Sequence, residues 1–354
     1  MFTLFFYFYF FIKFNCLFKK YFYQFLHLHI LMTENNNLKN QSDKKNNKED
    51  DEEEKKHKIE SLTKAGKIAQ EVKKYIKPQI QVGTVVLNLI ENTEKKIVEL
   101  GGEWAFPVNV SINNIAAHYT SPIKDDGLTI KEGDIVKIDL GVHIDGYIVD
   151  TAFTVSFNDE KSLENIIQAT EVALEAAKMM VKPKINTKEL GKKIEDIVKG
   201  FKFNPIKELG GHQIERWTVH GKKRVPELGI QGGDIMEEGE VFAIEIFAST
   251  GEGTVHNTKY SYIYELNPYS GRVPLRRKLS KQILGHINKN YKTLPFAERW
   301  LAKDFRMGVM FGLQELVQQG KVQVHYVLAE QKGEFVAQSE QTILITEDGF
   351  KQLT

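Results

Sequence analysis

The sequence predicts an α+β fold made of two pseudo-symmetric halves, with a small helical subdomain inserted into the second half. Three observations support this prediction. An acidic β-hairpin spans residues 132–157, a strand with the same acidic pattern recurs 106 residues later, and amphipathic helical segments interrupt the second half between residues 265 and 323.

The hairpin places two aspartates on one face of a sheet. Its turn is the pair Asp145-Gly146, because both central residues of a type I′ turn need positive φ. This turn pairs Asp139 with Ala152 and Asp150 with Gly141, so the two aspartates are diagonal neighbours on one face. Burying both carboxylates unpaired is costly, and a divalent cation between them removes the repulsion. Two solvated strand aspartates are the alternative interpretation.

The two halves repeat the same order of elements. In each half a helix ends near a Lys-Pro pair, a second helix follows, and a Glu-Gly-acid turn leads into a strand that carries Asp139 or Glu245. We therefore expect the central strands of the halves to meet, with acidic residues facing across the join. The predicted helices span residues 61–77 and 85–100 in the first half, and residues 162–181 and 187–198 in the second.

The insertion is predicted to cover about residues 265–323 and to hold three helices. Apolar residues keep helical spacing over 275–287, 296–301 and 309–317, and Gly320 is a candidate C-cap. Two strands then return, over residues 322–328 and 335–346, and the second carries Glu340 in an alternating pattern.

Composition excludes several classes of protein. The 354 residues include 48 basic and 47 acidic side chains, so global charge gives no support for a nucleic-acid site. A hydrophobic fraction of 42% is enough for a sizeable core. The single cysteine, Cys16, excludes an internal disulfide framework and predicts a reducing compartment, the cytoplasm.

The N-terminal residues differ from the rest of the chain. Residues 1–31 are apolar, but their uninterrupted run ends at Lys13, short of the about 20 residues that a membrane span needs. They are interpreted either as an over-extended reading frame that precedes Met32 or as a membrane-associating anchor. Residues 33–58 are polar and highly charged, so we expect a disordered, solvating tail, with contact to a charged assembly such as the ribosome as the alternative. The predicted domains are therefore residues 1–57 and residues 58–354.

The strands carry a set of metal-ligating residue types. Four carboxylates and one imidazole suit a pair of hard or borderline divalent cations better than a thiolate zinc site. Taken singly, each of these residues is also compatible with a structural role. The candidates are Asp139, Asp150, His212, Glu245 and Glu340.

From about Ser61 to the C-terminus, the chain resembles the type 2 methionine aminopeptidases, in their archaeal form, among the pita-bread metallopeptidases. The matching segments are NNIAAHY, KIDLG followed by IDGYIVDTAFTV, GGHQIERWTVH, FAIEIFASTGEG, LPFAERWL and SEQTILI. The insertion of roughly 60 residues is typical of type 2. Type 1 enzymes, which lack it, are the second choice.

The resemblance implies a dinuclear aminopeptidase that removes the N-terminal methionine from nascent polypeptides with a small second residue. It implies two divalent metal ions per chain, cobalt, manganese, iron or zinc, and we expect a monomer. In this family pattern Asp139 binds one metal ion and His212 and Glu245 bind the other. Asp150 and Glu340 match the carboxylates that bridge the two.

The resemblance also assigns roles around the metal ions. Glu245 matches the family's general base, His118 the histidine that contacts the scissile amide, and His220 the histidine that steadies the substrate. The apolar methionine pocket would include Phe106, Ile263 and Tyr326, for which ordinary core packing is the alternative.

Two departures from the family pattern stand out. Gln341 replaces the usual histidine after Glu340, and this change puts in doubt the hydrogen-bond support that the family pattern gives to the Glu340 carboxylate. Gly221-Lys222 replaces the usual Ala-Gly after His220 and changes the rim of the site. Two other functions remain open at this point: a proline-directed peptidase of the aminopeptidase P or prolidase kind, and a non-catalytic ribosome- or RNA-binding relative.

Overall fold

The computed structural model describes residues 52–124, 127–230, 232–271, 274–306 and 308–354. The chain divides into two units, Met1–Ile59 and Glu60–Thr354. The predictions for residues 1–31 and for the tail up to residue 51 lie outside the described residues. Within the described part of the chain, no helix is long and apolar enough to cross a membrane.

The first described helix begins earlier than the sequence suggested. Helix α1 covers residues 52–76 and so includes seven residues that were expected to belong to a disordered tail. Charge spacing favours helix there, because Glu52 and Glu54 each stand four residues before a lysine, Lys56 and Lys58, and opposite charges at this spacing stabilise a helix.

The elements alternate between helices and antiparallel strands, as expected of an α+β fold. Six more helices follow α1: α2 Val86–Glu99, α3 Lys161–Lys178, α4 Thr187–Gly200, α5 Lys278–Asn290, α6 Glu298–Phe305 and α7 Gly308–Gln318. The strands of the first half are β1 Glu103–Trp104, β2 Asn109–Ile112, β3 Ile115–Ala117, β4 Ile135–Ile144 and β5 Tyr147–Ser156. The remaining strands are β6 Asn204–Pro205, β7 Gly210–Ile214, β8 Arg224–Pro226, β9 Val241–Ser249, β10 His256–Leu266, β11 Phe296–Ala297, β12 Val322–Ala329, β13 Val336–Thr346 and β14 Gly349–Gln352.

Three sheets form the scaffold. The first has the order β1-β4-β2, with β5 paired to β4. The second has the order β11-β10-β12-β3, and the third has the order β14-β13-β9-β7-β8, with β6 paired to β9. Helices α3 and α4 pack on the third sheet, where their apolar faces share a core with β9 and β13.

The predicted hairpin register is confirmed. Asp145 and Gly146 have φ values of 51° and 79°, as a type I′ turn requires. Strand β4 pairs Asp139 with Ala152 and Gly141 with Asp150. Since facing residues share a sheet face, the two aspartates lie on the same side.

Threonine hydroxyls join the two halves. Strands β5 and β13 lie side by side without forming a ladder, and side chains supply the hydrogen bonds instead. Thr154 Oγ1 donates to the carbonyl of Gln338 at 2.7 Å and accepts from its amide at 2.9 Å. Thr342 Oγ1 makes the same pair of bonds to Asp150, both at 2.7 Å. These contacts fix β5 against β13, and we call them the threonine seam.

A fully buried lysine also bridges the halves. Lys137 Nζ donates to the carbonyls of Asn113 and Val336, both at 2.9 Å. Burial lowers the pKa of Lys137 to about 7, and the nearby Asp134 opposes this shift. Because Val336 begins β13, the lysine ties the first half to the strand that carries Glu340.

The inserted helices α5, α6 and α7 share their own apolar core with β10 and β12. Gly320 has φ of +64° and follows α7, as expected of its C-cap. A buried ion pair connects this core to the first half: Arg299 Nη2 on α6 donates to Glu94 Oε1 on α2, and Trp300 Nε1 donates to Glu94 Oε2 at 3.2 Å.

We expect Glu94→Leu to lower the free energy of unfolding by about 3–5 kcal/mol, because it leaves the Arg299 guanidinium buried without a counter-charge. Urea unfolding followed by circular dichroism measures the change. The double variant Glu94→Leu/Arg299→Met should recover most of the loss. The matched control is Glu99→Leu, which removes only exposed pairs with Lys95 and Lys96 and should cost less than about 1 kcal/mol. Equal losses in both single variants would contradict the assignment.

Candidate metal centre

Five strands bring the predicted ligands together. Asp139, Asp150, His212 and Glu245 line one cavity of about 350 Å³. Glu340 is buried beside it, opposite Glu245 in the register of β13 and β9. Donor atoms of Asp150, His212 and Glu340 lie within 4.8 Å of one another, and all three residues are buried.

The carboxylates converge without enough hydrogen-bond donors. Three of their buried oxygens, Asp139 Oδ1, Asp150 Oδ1 and Glu340 Oε1, have no hydrogen-bond partner. Gln338 Nε2 is the shared donor, at 3.4 Å from both Glu245 Oε2 and Glu340 Oε2. Buried unpaired carboxylate oxygens at one point are what a bound cation would satisfy.

Burial makes the charged form of every carboxylate unfavourable. It raises the pKa of Asp139 to about 7, although hydrogen bonds with Asp150 and Gln338 oppose the shift. The pKa values of Asp150, Glu245 and Glu340 are raised well above their usual range, first by burial and then by repulsion from neighbouring carboxylates. A divalent cation reverses both effects, because it supplies the missing positive charge.

His212 has the geometry of a metal ligand. Its Nδ1 lies 3.4 Å from the carbonyl of Gln213, which assigns the ring proton to that nitrogen. Its Nε2 faces the carboxylates, at 3.6 Å from Glu245 Oε1 and 3.9 Å from Asp150 Oδ2. Burial lowers the pKa of His212 to about 4, so the imidazole is neutral and its Nε2 lone pair is free. The donor set therefore fits oxygen-preferring divalent cations with one imidazole ligand.

The cavity also holds the two other predicted histidines. His118 has φ of 65° and places Nδ1 at 3.1 Å from the carbonyl of Tyr326, so that nitrogen carries the proton. Burial at the cavity wall lowers the pKa of His118 to about 4, and His325 adds to the shift. The His220 ring lies beside His212, with centroids 4.3 Å apart. Both predicted histidines line the same cavity as the carboxylates.

The predicted apolar pocket needs one correction. Phe106 and Ile263 line the cavity, but the Tyr326 side chain is 41% exposed and does not. His325 lines the cavity instead. Strands β10 and β12 pair Ile263 with His325, and facing residues share a face, so Tyr326 points to the other side.

Several residues at the site were missed by the sequence analysis. Asn109 lines the cavity opposite Asp139 in the register of β2 and β4. His325 Nε2 lies 2.9 Å from Glu265 Oε2, which fixes its ring against the wall. Gln338 stands two residues before Glu340, and the period of two along a strand would have placed both on one face.

The side chain of Gln341 does not contact the carboxylate cluster. Its side chain points to the opposite face of β13, where the buried Lys178 Nζ on α3 donates to its Oε1. The same Nζ donates to Gln352 Oε1 at 3.0 Å. The backbone of Glu340 is held through its carbonyl, which accepts a hydrogen bond from Thr151 Oγ1 at 2.9 Å, and Lys73 Nζ donates to Thr151 Oγ1 at 2.8 Å.

Comparisons with known proteins agree with this geometry. The model of metallopeptidase family M24 matches residues 60–347. A methionine aminopeptidase of Thermococcus kodakarensis is 41% identical over 292 residues, which cover 82% of this chain and 97% of that protein. The methionine aminopeptidase of Methanothermobacter thermautotrophicus is 38% identical over 298 residues, covering 84% and 98%.

A solved structure shows the same fold. A thermophilic Arx1 superposes with a TM-score of 0.74 over 83% of this chain and 90% of that one, at 20% sequence identity. The family match covers most of the chain, including every strand that carries a carboxylate of the cluster. The chain therefore belongs to metallopeptidase family M24 and, within it, to the methionine aminopeptidases.

Proposed function

We propose that this chain removes methionine from the N-terminus of polypeptides with two divalent metal ions held by Asp139, Asp150, His212, Glu245 and Glu340. The observation that carries the proposal is the convergence of three unpartnered buried carboxylate oxygens beside the free Nε2 face of a neutral imidazole. Nascent polypeptides in the cytoplasm are the proposed substrates. Cobalt, manganese, iron and zinc all suit this donor set.

When bound, the metal ions supply Lewis-acid polarisation and lower the pKa of water. The protein's own contribution is the placing of acids and bases around them. Glu245 lines the cavity and is the proposed base that accepts a proton from water and returns it to the leaving amine. Gln338 Nε2 orients the Glu245 carboxylate from the side of β13.

The tautomer of His118 determines which hydrogen bond it can make. Because Nδ1–H donates to the carbonyl of Tyr326, Nε2 is the acceptor that remains for the substrate. We therefore propose that His118 accepts a hydrogen bond from the amide N–H of the scissile bond. His220 lies beside the carboxylates and is the proposed donor to the charge that develops on the carbonyl oxygen.

The cavity wall supports methionine as the first residue. Phe106 and Ile263 provide apolar surface, and His325 is held by Glu265 at the same wall. A volume of about 350 Å³ shared with the metal ions leaves space for one unbranched side chain. The second residue of the substrate must then pass between His118 and His220, where space is limited.

We expect Asp150→Asn to reduce turnover by about 10³-fold, since the variant loses a charge that would hold the metal ions and with it several kcal/mol of stabilisation. Thermal unfolding gives a second measurement. Metal should raise the melting temperature of the wild type and have little effect on the variant. The variant without metal should be no less stable, because one repelling carboxylate is gone.

The control for this experiment is Asp196→Asn, which neutralises an exposed carboxylate on α4 that pairs with Lys192. That variant should keep both its metal response and its turnover. If Asp150→Asn bound two metal ions and cleaved peptides at the wild-type rate, the dinuclear assignment would be wrong.

We expect peptides with a small second residue to be cleaved best. Met-Ala-Ser and Met-Val-Ser should exceed Met-Lys-Ser and Met-Phe-Ser in kcat/KM by about 10–200-fold, the range set by differential binding of side-chain bulk. Leu-Ala-Ser tests the requirement for methionine, and Ala-Pro-Ser tests the prolidase-like alternative. Indifference to the second residue, or preference for proline there, would refute the proposed specificity.

We expect deletion of residues 1–51 to leave kcat/KM for Met-Ala-Ser within about twofold of the full-length value, because their polar and charged portion cannot form a packed pocket. Every proposed ligand lies later in the chain. A large loss of turnover on this tripeptide would show that the N-terminal residues complete the site.

A further inference from the structure

One charged residue of the cavity has no part in the mechanism described so far. Arg224 begins β8 and lies opposite His212 in the register of β7 and β8. It lines the cavity with His220 and Gly221, and it is exposed, so it lies at the rim. Its backbone amide is fixed, because it donates to Asp234 Oδ2 at 2.9 Å.

The Arg224 guanidinium has no salt bridge or hydrogen bond with any residue that the structure describes. Two of the neighbouring charged residues already have partners. Lys223 Nζ lies 2.5 Å from Glu240 Oε1, and Glu208, the other charged residue that lines the cavity near its entrance, pairs with Lys207 at 3.5 Å. Arg224 therefore lines the cavity as a cation whose guanidinium has no partner among the described residues.

The charge balance of the site leaves this cation uncompensated. Under the proposed function, two divalent ions offset the four carboxylates of the cluster. Arg224 then adds one positive charge at the entrance. Arg224 faces His212 in the register of β7 and β8, so its side chain lies on the same face of the sheet as that proposed ligand.

The position of Arg224 in the cavity determines which part of a bound peptide it can contact. Three residues form the proposed wall for methionine: Phe106 in the loop between β1 and β2, Ile263 on β10 and His325 on β12. Arg224 stands on β8 in the third sheet, whereas Ile263 and His325 stand on strands of the second sheet. With methionine held against the second sheet, we place the part of the peptide that follows the scissile bond beside Arg224.

We propose that Arg224 is a specificity-determining residue that binds a substrate carboxylate located beyond the second residue. A guanidinium binds carboxylates through paired, charge-assisted hydrogen bonds. The carboxylate has two possible sources, an acidic side chain at the third position or the C-terminal carboxylate of a tripeptide. This inference rests on the proposed function for the direction of the peptide.

The experiment compares kcat and KM for matched peptides. Met-Ala-Asp-amide against Met-Ala-Asn-amide tests the side chain, and Met-Ala-Ser as free acid against its amide tests the terminus. For the pair that contains the carboxylate bound by Arg224, we expect the wild type to have a KM roughly 3- to 10-fold lower for the peptide with the carboxylate than for its neutral partner. This preference should be smaller at high salt. In Arg224→Gln the preference should fall to about one, and Arg224→Lys should keep part of it.

The control is Lys188→Gln, which removes an exposed charge at the start of α4 and should keep the wild-type preference. A purely structural role for Arg224 would lower the rates on both peptides of a pair equally. If neither pair distinguished wild type from Arg224→Gln, or if the wild type preferred the neutral peptides, the inference would be wrong.

Binding separates this inference from the proposed function. In a Glu245→Gln background, calorimetric Kd values for the same peptide pairs should show the same preference and the same loss on Arg224→Gln. A chain that cleaved none of the peptides yet showed this preference would refute the peptidase proposal and leave carboxylate binding by Arg224 intact. Equal Kd values within both pairs would refute the role of Arg224.

Discussion

Crowding of four carboxylates is the constraint on which this structure depends. Asp150 and Glu340 are buried and Asp139 and Glu245 are half-buried, and loss of hydration opposes the ionisation of all four. Repulsion from neighbouring carboxylates raises the pKa values of Asp150, Glu245 and Glu340 further. No local segment would adopt this arrangement by itself. The surrounding fold must hold the strands in place until a cation balances the charge, and much of the architecture can be understood as the means of doing so.

The contacts between the halves are suited to that task. If β5 and β13 formed a ladder, backbone hydrogen bonds alone would set the distance between these two strands. The threonine seam uses hydroxyls that donate and accept at once, so each of Thr154 and Thr342 satisfies a full N–H and C=O pair across the join. Lys137 adds a further link between the halves, through the bonds of its Nζ to the carbonyls of Asn113 and Val336. The threonine bonds lie on the two strands that carry Asp150 and Glu340, which are two of the proposed metal ligands.

The sequence predicted those parts of the site that depend on local rules. The turn at Asp145-Gly146 determined the register of the hairpin, and the recurrence of an acidic strand indicated that Asp139 and Glu245 belong together. Which residue of β12 faces the pocket depends on the register between β10 and β12, which local rules do not determine. The pairing of β10 with β12 contains register shifts around Ser261, and such irregularities leave no mark in the sequence pattern. That is why His325, and not Tyr326, faces the cavity.

Strand alternation alone predicts that Gln341 points away from the face that carries Glu340. The family pattern drew attention to the residue type at position 341 and not to the side of the sheet on which it lies.

The distribution of the ligands along the chain has a consequence for synthesis. Asp139 and Asp150 lie in the first half, whereas Glu340 lies on the last long strand, 190 residues after Asp150. Domains emerge and fold from the N-terminus, and contacts between distant residues form late. The first half would therefore emerge with two neighbouring carboxylates and without the residues that complete their cation site. Metal affinity would be acquired only when β13 docks along β5. The chain would then gain activity at the end of its own folding, and metal uptake would report completion of the fold.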